Sequence, residues 1–438
     1  MKLKVVSLLI FVILIVVLIN PVLFAQEKVE IDFWYALSGH IREVTLDMVE
    51  DFNTSQNDIQ VNPVHRGSYA EALTAAIAAY RTGNAPHVVQ VYEVGTQTLL
   101  DSKAIVPVYQ LFEDNNIIVD WNDFLGPLKA YYSVDDNLSS LPFNSSTPFL
   151  FYNKDAFREA GLDPNKPPRT FEEMEEYGEK LVESGVVENA ITFGWPSWTM
   201  IENMFAWHGE AITNNSNGYD GHATELYINN DFGITLFNKY KELQDKNILA
   251  YEGREGTPNP SFLTGKTAMI ITSTAYLGGF KETADFEIGS GFLPRFEDKL
   301  QGNSLIGGAT LWVFDGHEKE EYKAVAEFLS YVASVDQQVD WHKSTGYLPV
   351  TISAVNKLES QGWFNENPNH ATAFNQLQVE THNGKNVGLR LGDFTSIREI
   401  LLAEIENIFA GNKSVEKALN DAVAKSNARL ERYVRVNK

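Results

Sequence analysis

Polar residues follow three predicted strands in the first hundred positions. Hydrophobic runs at 29–35, 59–63 and 87–92 alternate with segments of helical periodicity. In an α/β sheet, ligands bind beyond the carboxyl ends of the strands, so the residues just past each run are candidates to contact a ligand. These residues are 38–41, 67–69 and Glu93.

Catalytic motifs fit this chain poorly. Glu93 could serve in glycoside hydrolysis, but that reaction needs a second carboxylate, and no partner is identifiable. Gly265-Lys266-Thr267 resembles the end of a phosphate-binding loop, yet Pro260 occupies the position of the required first glycine. The nine histidines show no metal-ligand spacing. These residues favour a binding protein without cofactor or metal, and a secreted glycoside hydrolase is the less favoured alternative.

The elements that would position such residues form two units. In the first, strands and helices alternate as βαβαβ, which predicts an α/β domain with a largely parallel sheet. Ser68-Tyr-Ala-Glu71 reads as a capping box that opens a helix. A second unit starts near Pro142. Its predicted strands are 148–153, 266–272 and 304–314, and its predicted helices begin at Thr170, Ala275 and Ser396. A chain of 438 residues is long enough for two domains.

The first residues predict export. Lys2 and Lys4 precede an apolar run at 5–19, and Ala25 provides a small residue for cleavage, as in a secretory signal peptide. The run is shorter than the roughly 20 residues that a membrane span needs. With 0 cysteines there is no disulfide and no cysteine for lipid attachment. We therefore expect a monomer free in the periplasm.

The charge of the chain argues against two classes of partner. Removing the signal peptide takes away two lysines and no acids, so the net charge falls from −23 to −25. Such an acidic chain is repelled by nucleic acid and by anionic lipid. An anionic ligand would need a local concentration of hydrogen-bond donors.

Several loop sequences are similar to those of a known family. They are the segments at 81–96, at 142–148 (PFNSSTP), at 307–313 (GGATLWV), at 345–349 (TGYLP) and at 388–392 (GLRLG). The chain resembles the family 1 extracellular solute-binding proteins of ABC importers over essentially its whole mature length.

This resemblance implies an α/β fold of the type II periplasmic binding protein class, in which two hinge-linked lobes close on a ligand. Lobe 1 would comprise residues 26–145 and 309–346, and lobe 2 residues 146–308 and 347–438, after a signal peptide at 1–25. The implied function is substrate binding for a membrane permease. The ligand would be glycerol 3-phosphate or a glycerophosphodiester. A sugar or oligosaccharide is the alternative, since the family is broad.

The resemblance also implies a set of ligand contacts. Arg398 would bind phosphate with its planar fork, and its place near a helix N-terminus, where a cation is disfavoured, suggests a functional reason. Ser273 lies between a strand and a helix, where an anion is favoured. Glu93 would accept hydrogen bonds from glycerol hydroxyls. The remaining contacts are the Gly308 backbone, the hydroxyls of Tyr69, Ser146 and Tyr347, and the rings of Trp195 and Trp198.

Overall fold

The computed structural model describes residues 28–299, 302–379 and 388–437. The predicted signal peptide, with its cleavage at Ala25, lies outside these residues and stays a prediction. No helix in the described part of the chain is long and apolar enough to cross a membrane.

The strands are short and mostly buried, and they are numbered here in chain order. They are β1 (Val29–Tyr35), β2 (Ile59–His65), β3 (Val88–Tyr92), β4 (Ile105–Val106), β5 (Ser133–Val134), β6 (Asn137–Leu138), β7 (Leu141–Ser146), β8 (Pro148–Asn153), β9 (Asn189–Phe193), β10 (Leu249–Ala250), β11 (Thr267–Ser273), β12 (Ile288–Gly291) and β13 (Gly307–Phe314).

The first lobe is built on a mixed sheet of order β2-β1-β3-β13-β4, with β7 also paired to β13. Strand β1 runs parallel to β2 and β3, whereas β13 is antiparallel to β3, β4 and β7. Every residue of β3, with sequence VVQVY, is buried. Such a continuous buried run is typical of a central strand covered on both faces by helices.

The second lobe has its own sheet, of order β10-β9-β11-β8-β12. Strand β9 is parallel to β10 and β11, and β8 is antiparallel to β11 and β12. Strands β5 and β6 form a separate small hairpin. Two sheets, each with packed helices, confirm the predicted two-lobed α/β architecture.

Helices cover both sheets and are also numbered in chain order. They are α1 (Gly39–Ser55), α2 (Tyr69–Arg81), α3 (Thr96–Ser102), α4 (Val108–Asp114), α5 (Gly126–Tyr132), α6 (Lys154–Glu159), α7 (Phe171–Glu183), α8 (Asn203–Trp207), α9 (Asp231–Asp245), α10 (Asn259–Leu263), α11 (Leu277–Thr283), α12 (Lys319–Val332), α13 (Val335–Thr345), α14 (Ile352–Ser360), α15 (Trp363–Glu366), α16 (Pro368–Leu377), α17 (Phe394–Phe409) and α18 (Val415–Val436).

Several irregular turns lie next to the helices. Two 3₁₀ turns precede α3 and α11, a π-helical turn precedes α8, and a short turn contains three residues with left-handed dihedral angles. The 3₁₀ turns span Glu93–Gly95 and Thr274–Tyr276, the π-helical turn spans Ser197–Glu202, and the short turn spans Asn214–Gly218.

The chain passes between the lobes close to the end of β7. Strand β7 ends at Ser146 in the first sheet and β8 begins at Pro148 in the second, so Thr147 forms the crossing. It returns between β12 and β13, and Gly307 already pairs with Ser146 in the first sheet. A later segment lies along the first lobe, where the Leu348 N–H donates to the Ser145 carbonyl at 2.8 Å. The lobe boundaries at 145, 309 and 346 stay predictions.

Predictions made from local sequence agree best with the structure at the N-termini of helices. The capping box at the start of α2 is confirmed, since the Ser68 N–H donates to Glu71 Oε2 at 2.7 Å and the Glu71 N–H donates to Ser68 Oγ at 3.3 Å. Thr170 caps α7 by accepting from the Glu173 N–H at 3.0 Å. The strand predicted at 304–314 starts later, at Gly307.

Candidate functional site

A cleft of about 490 Å³ opens between the lobes, a volume typical of a small-molecule site. The structure brings all the sequence-predicted site residues to its wall. They are Tyr69, Glu93, Ser146, Trp195, Trp198, Ser273, Gly308, Tyr347 and Arg398. Their assignment as ligand contacts stays a prediction.

The edge of the first sheet, where its strands end, forms one wall of the cleft. Tyr69 opens α2 just after β2, and Glu93 begins the 3₁₀ turn after β3. Ser146 ends β7, and Gly308 lies at the start of the antiparallel β13, so both reach the same edge of the sheet. Tyr347 follows α13, whose C-cap Gly346 has a φ of 93°. This edge is the one that the strand-end rule predicts.

The second lobe contributes the opposite wall. Trp195 and Trp198 follow β9, and Ser273 ends β11 with its hydroxyl accepting from the Ala275 N–H at 3.2 Å. Arg398 is the fifth residue of α17 and reaches the cleft from the C-terminal part of the chain. The two walls therefore combine residues from distant segments.

Two tyrosine hydroxyls meet beside Asn144. The Asn144 amide donates to the Tyr69 hydroxyl at 2.8 Å, and the ring of Tyr69 stacks on Tyr92 with centroids 5.3 Å apart. Burial raises the pKa of Tyr347 to about 12 and that of Tyr69 well above its ordinary value. Both phenols therefore stay protonated near neutral pH and can act as neutral hydrogen-bond donors.

Gly308 is a position where only a glycine fits. Its φ is 93°, and a Cβ built there would lie 1.9 Å from the Asn144 carbonyl oxygen. The backbone can therefore line the cleft at this point without a side chain in the way.

The tryptophan wall contains a strained backbone. Trp195 has a φ of 54°, which is unusual for a large side chain. Its N–H donates to the Glu255 carbonyl at 2.7 Å, and its indole N–H donates to the Tyr276 hydroxyl at 3.1 Å. The indole N–H of Trp198 has no partner among the described residues. Strain and a free donor at one wall are features that accompany binding sites.

Arg398 is held by two carboxylates. Its Nε donates to Glu202 Oε1 at 2.8 Å, and its Nη2 donates to Glu202 Oε2 at 2.7 Å and to Glu93 Oε1 at 2.6 Å. The three side chains are at most 10% exposed. Glu93 belongs to the first lobe, whereas Glu202 and Arg398 belong to the second, so these charges join the two lobes across the cleft.

The charges of this group stabilise one another. Burial acts to lower the pKa of Arg398, but Glu202 and Glu93 more than offset it and keep the pKa above its ordinary value. Burial raises the pKa of Glu202, with Arg398 opposing the shift and Glu93 adding to it. The guanidinium therefore remains charged, and it reaches the cleft already paired.

Comparison with known proteins identifies the family of this chain. Residues 47–372 match the family described as bacterial extracellular solute-binding protein. The chain belongs to this family. Its members are binding proteins, in agreement with the absence of catalytic motifs in the sequence.

Two named relatives are similar to this chain over nearly its whole length. The chain is 38% identical over 413 residues to the sn-glycerol-3-phosphate-binding periplasmic protein UgpB of Pectobacterium atrosepticum, with 93% of each chain covered. It is likewise 38% identical over 418 residues to the protein of that name from Escherichia coli K12, with 94% of this chain and 95% of the relative covered.

Solved structures share the fold of this family member. The crystal structure of UgpB from Mycobacterium tuberculosis in complex with glycerophosphocholine superposes with a TM-score of 0.78 at 24% identity, covering 92% of this chain and 99% of that one. The cyclic α-maltosyl-1,6-maltose binding protein of Arthrobacter globiformis gives a TM-score of 0.74 at 22% identity, covering 92% and 100%. These likenesses establish the type II two-lobed fold.

Sequence reasoning missed Glu202, which lies behind Arg398, and several residues of the cleft wall. Glu202 is the most important, because it makes two hydrogen bonds to Arg398. It lies in the π-helical turn, and nothing in the local sequence marks it. Tyr276, Glu255 and Glu399 also line the cleft. Tyr276 follows the strand end at Ser273, so the same strand-end rule would have found it.

One side-chain cluster outside the cleft has the composition of a metal site. His87 Nε2 lies 3.5 Å from Glu321 Oε1, and His317 Nδ1 lies 3.9 Å from Glu321 Oε2. However, the Asp32 N–H donates to His87 Nδ1 at 3.0 Å, so the proton of a neutral His87 must be on Nε2. That nitrogen then has no lone pair for a metal, and the residues fit a metal ion poorly.

Proposed function

We propose that this chain is the substrate-binding component of an ABC importer and that it binds glycerol 3-phosphate or a glycerophosphodiester. In this proposal it is exported, processed near Ala25, and delivers its ligand as a monomer to a membrane permease. It acts by lobe closure and performs no catalysis. Two UgpB relatives at 38% identity carry the name of sn-glycerol-3-phosphate-binding proteins, which supports this ligand class.

The observation that carries the proposal is the arrangement of donors around one cation. Arg398 shares the cleft wall with the hydroxyls of Tyr69, Ser146, Ser273 and Tyr347. Neutral donors and one guanidinium suit a phosphate group, because they provide many hydrogen bonds. In a cleft that excludes water, such donors act more strongly than the acidic outer surface, which salt screens beyond about 8–10 Å.

Glu93 is suited to the glycerol part of the ligand. A carboxylate accepts hydrogen bonds from hydroxyl groups and repels phosphate. We propose that Glu93 binds the glycerol hydroxyls while Arg398 and the neutral donors bind the phosphate. Trp195 and Trp198 would then pack against the carbon atoms between them.

A sugar is the second candidate, and one observation favours it. Trp195, Trp198 and Tyr276 line the cleft, and aromatic rings provide large apolar surfaces against which sugar rings can pack. A purely neutral sugar, however, leaves the charge of Arg398 without a function in binding.

Isothermal titration calorimetry separates these candidates. We expect glycerol 3-phosphate and glycerophosphocholine to bind, and maltose not to bind. Replacing Tyr347 by Phe removes one donor to a charged group, so phosphate ligands should bind more weakly by about 1.5–3 kcal/mol. Tyr331 lies on α12 and does not line the cleft, so Tyr331→Phe is the matched control and should leave affinity within about twofold.

One result would reject the proposed function, and another would reject the assignment of Tyr347 as a ligand contact. One is tight binding of maltose together with no heat from any phosphate ligand. The other is equal affinity for glycerol 3-phosphate in wild type and in Tyr347→Phe, which would remove this tyrosine from the phosphate contacts.

A further inference from the structure

The charges around the cleft do not suit an anionic ligand as they stand. Among the described residues that line it, Glu93, Glu255 and Glu399 carry carboxylates, whereas Arg398 is the one permanent cation. Glu202 adds a fourth carboxylate directly behind Arg398. Arg254, which does not line the cleft, pairs with Glu399 at 2.7 Å, but Arg398 is still outnumbered by Glu93, Glu202 and Glu255 before any phosphate enters.

The conflict is sharpest at Arg398. Glu202 Oε2 and Glu93 Oε1 accept the two N–H donors of Nη2, so both hydrogens of this nitrogen are already used by carboxylates. A bound phosphate would bring a third anionic group to the same guanidinium. In a buried site, each such repulsion costs far more than in water.

Glu93 and Glu202 differ in how they can respond to a phosphate group that binds beside Arg398. Glu93 lines the cleft and can turn its oxygens to ligand hydroxyls. Glu202 does not line the cleft and is 3% exposed, so it has no access to solvent charge screening. Its surroundings contain Arg398, Glu93 and the phenol of Tyr131, and the phenol of Tyr92 also interacts with Arg398.

We infer that ligand binding is coupled to the uptake of one proton from solvent by Glu202. The inference rests on the proposed phosphate-binding function. Each oxygen of Glu202 accepts one bond from Arg398 and keeps a second lone pair, on which an O–H bond can form. The neutral Glu202 then frees the charge of Arg398 to face the phosphate. Burial raises the pKa of Glu202 and Glu93 adds to the shift, so the surroundings already favour its protonated form more than water does.

Calorimetry in buffers of different ionisation enthalpy measures this proton directly. Glycerophosphoglycerol is the best probe, because a diester has one fixed charge and does not titrate near neutrality. At pH 7 we expect uptake of about 0.3–1 proton per ligand, and affinity should fall up to about tenfold per pH unit as the pH rises. Glutamine mimics the protonated acid, so Glu202→Gln should show no uptake, a flat pH profile and tighter binding than wild type at pH 8.5.

Matched variants locate the proton. Glu404, on α17, is also buried and accepts hydrogen bonds from Lys413 and Lys425, but it does not line the cleft, so Glu404→Gln should retain the uptake. Uptake that persists in Glu202→Gln and disappears in Glu93→Gln would overturn the assignment to Glu202. Should Glu202→Gln fail to fold, a wild-type affinity that is constant from pH 6.5 to 8.5 would still refute the coupling. Absence of binding by every phosphate ligand would instead reject the proposed function.

Discussion

The guanidinium group of Arg398 has five N–H donors, and Glu202 and Glu93 accept three of them. The sequence places an arginine near a helix N-terminus, where a helix dipole disfavours a cation. The structure supplies the compensation, since both partners are acids. What remains available for a ligand is the outer part of the fork, held at a fixed angle by Glu202.

Gly308 allows a test of backbone geometry at the residue scale. Gly308→Ala adds a methyl group that collides with the Asn144 carbonyl, in addition to the strain of a positive φ. Gly83 has a similar φ of 71° but open space around it, so Gly83→Ala carries the strain alone. We expect Gly308→Ala to lower the free energy of unfolding by about 1–3 kcal/mol more than Gly83→Ala, and to weaken ligand binding at least tenfold.

Urea unfolding and ligand titration on both variants check this expectation. Equal unfolding free energies for the two alanine variants would show that the strand pair of β7 and β13 yields to the methyl group. Unchanged ligand affinity in Gly308→Ala would separate Gly308 from the binding surface.

How far single residues could be predicted depends on how their signals arise. Glu93 and Ser273 follow strands, so a local rule finds them, and Arg398 and the tryptophans came from resemblance to a family. Glu202 has no local signal, because its role arises only when α17 packs against the π-helical turn almost 200 positions earlier. Contacts of this kind depend on tertiary packing, which periodicity does not encode.

At the scale of elements, helix caps can be altered without touching the cleft. Asn230 caps α9 by accepting from the Gly233 N–H at 2.8 Å, and neither residue lines the cleft. Asn230→Ala should lower the free energy of unfolding by about 1 kcal/mol, because it leaves a helix N–H without its partner. Asn230→Ser should recover most of this loss.

Chemical denaturation and a ligand titration test the cap. Ligand affinity should stay at its wild-type value in both variants, since neither Asn230 nor Gly233 lines the cleft. A loss of affinity as large as the loss of stability would mean that the helix positions cleft residues after all.

Helices and strands could be predicted where their sequence pattern extends over many residues. The helix α2 carries its own capping box, and the buried run of β3 is unmistakable. The two-residue strands β4 and β10 are too short to show periodicity, and they exist because neighbouring strands pair with them. The π-helical turn could not be predicted either, since one extra residue per turn leaves no mark in the composition.

At the scale of the whole molecule, the order of strands is the feature that the sequence hides. Strand β13 inserts between β3 and β4 from a segment much later in the chain and runs antiparallel to both. The βαβαβ pattern predicts the parallel part of the sheet, but it cannot tell which distant strand completes it. The resemblance to a known family indicated that residues 309–346 belong to the first lobe, but it gave no strand order.

Three buried histidines make the stability of the whole molecule depend on pH. Burial lowers the pKa of His208 and His342 to about 4 and that of His370 to about 3. In the unfolded chain a histidine has a pKa of about 6.5. Between these values the unfolded state binds more protons, so stability is full above about pH 6.5 and decreases as the pH falls towards 4.

The size of this loss can be estimated and measured. At pH 5.5 each histidine costs about 1.4 kcal/mol relative to neutral pH, and the three together about 4 kcal/mol, with the raised pKa of Glu202 acting in the opposite direction. Urea unfolding at pH 7.5, 6.5 and 5.5 should show the decrease, and His370→Gln should remove about one third of it. His40 is partly exposed on α1, so His40→Gln is the matched control and should keep the full pH dependence. A constant free energy of unfolding from pH 7.5 to 5.5 would contradict the prediction, because buried neutral histidines cannot avoid this linkage.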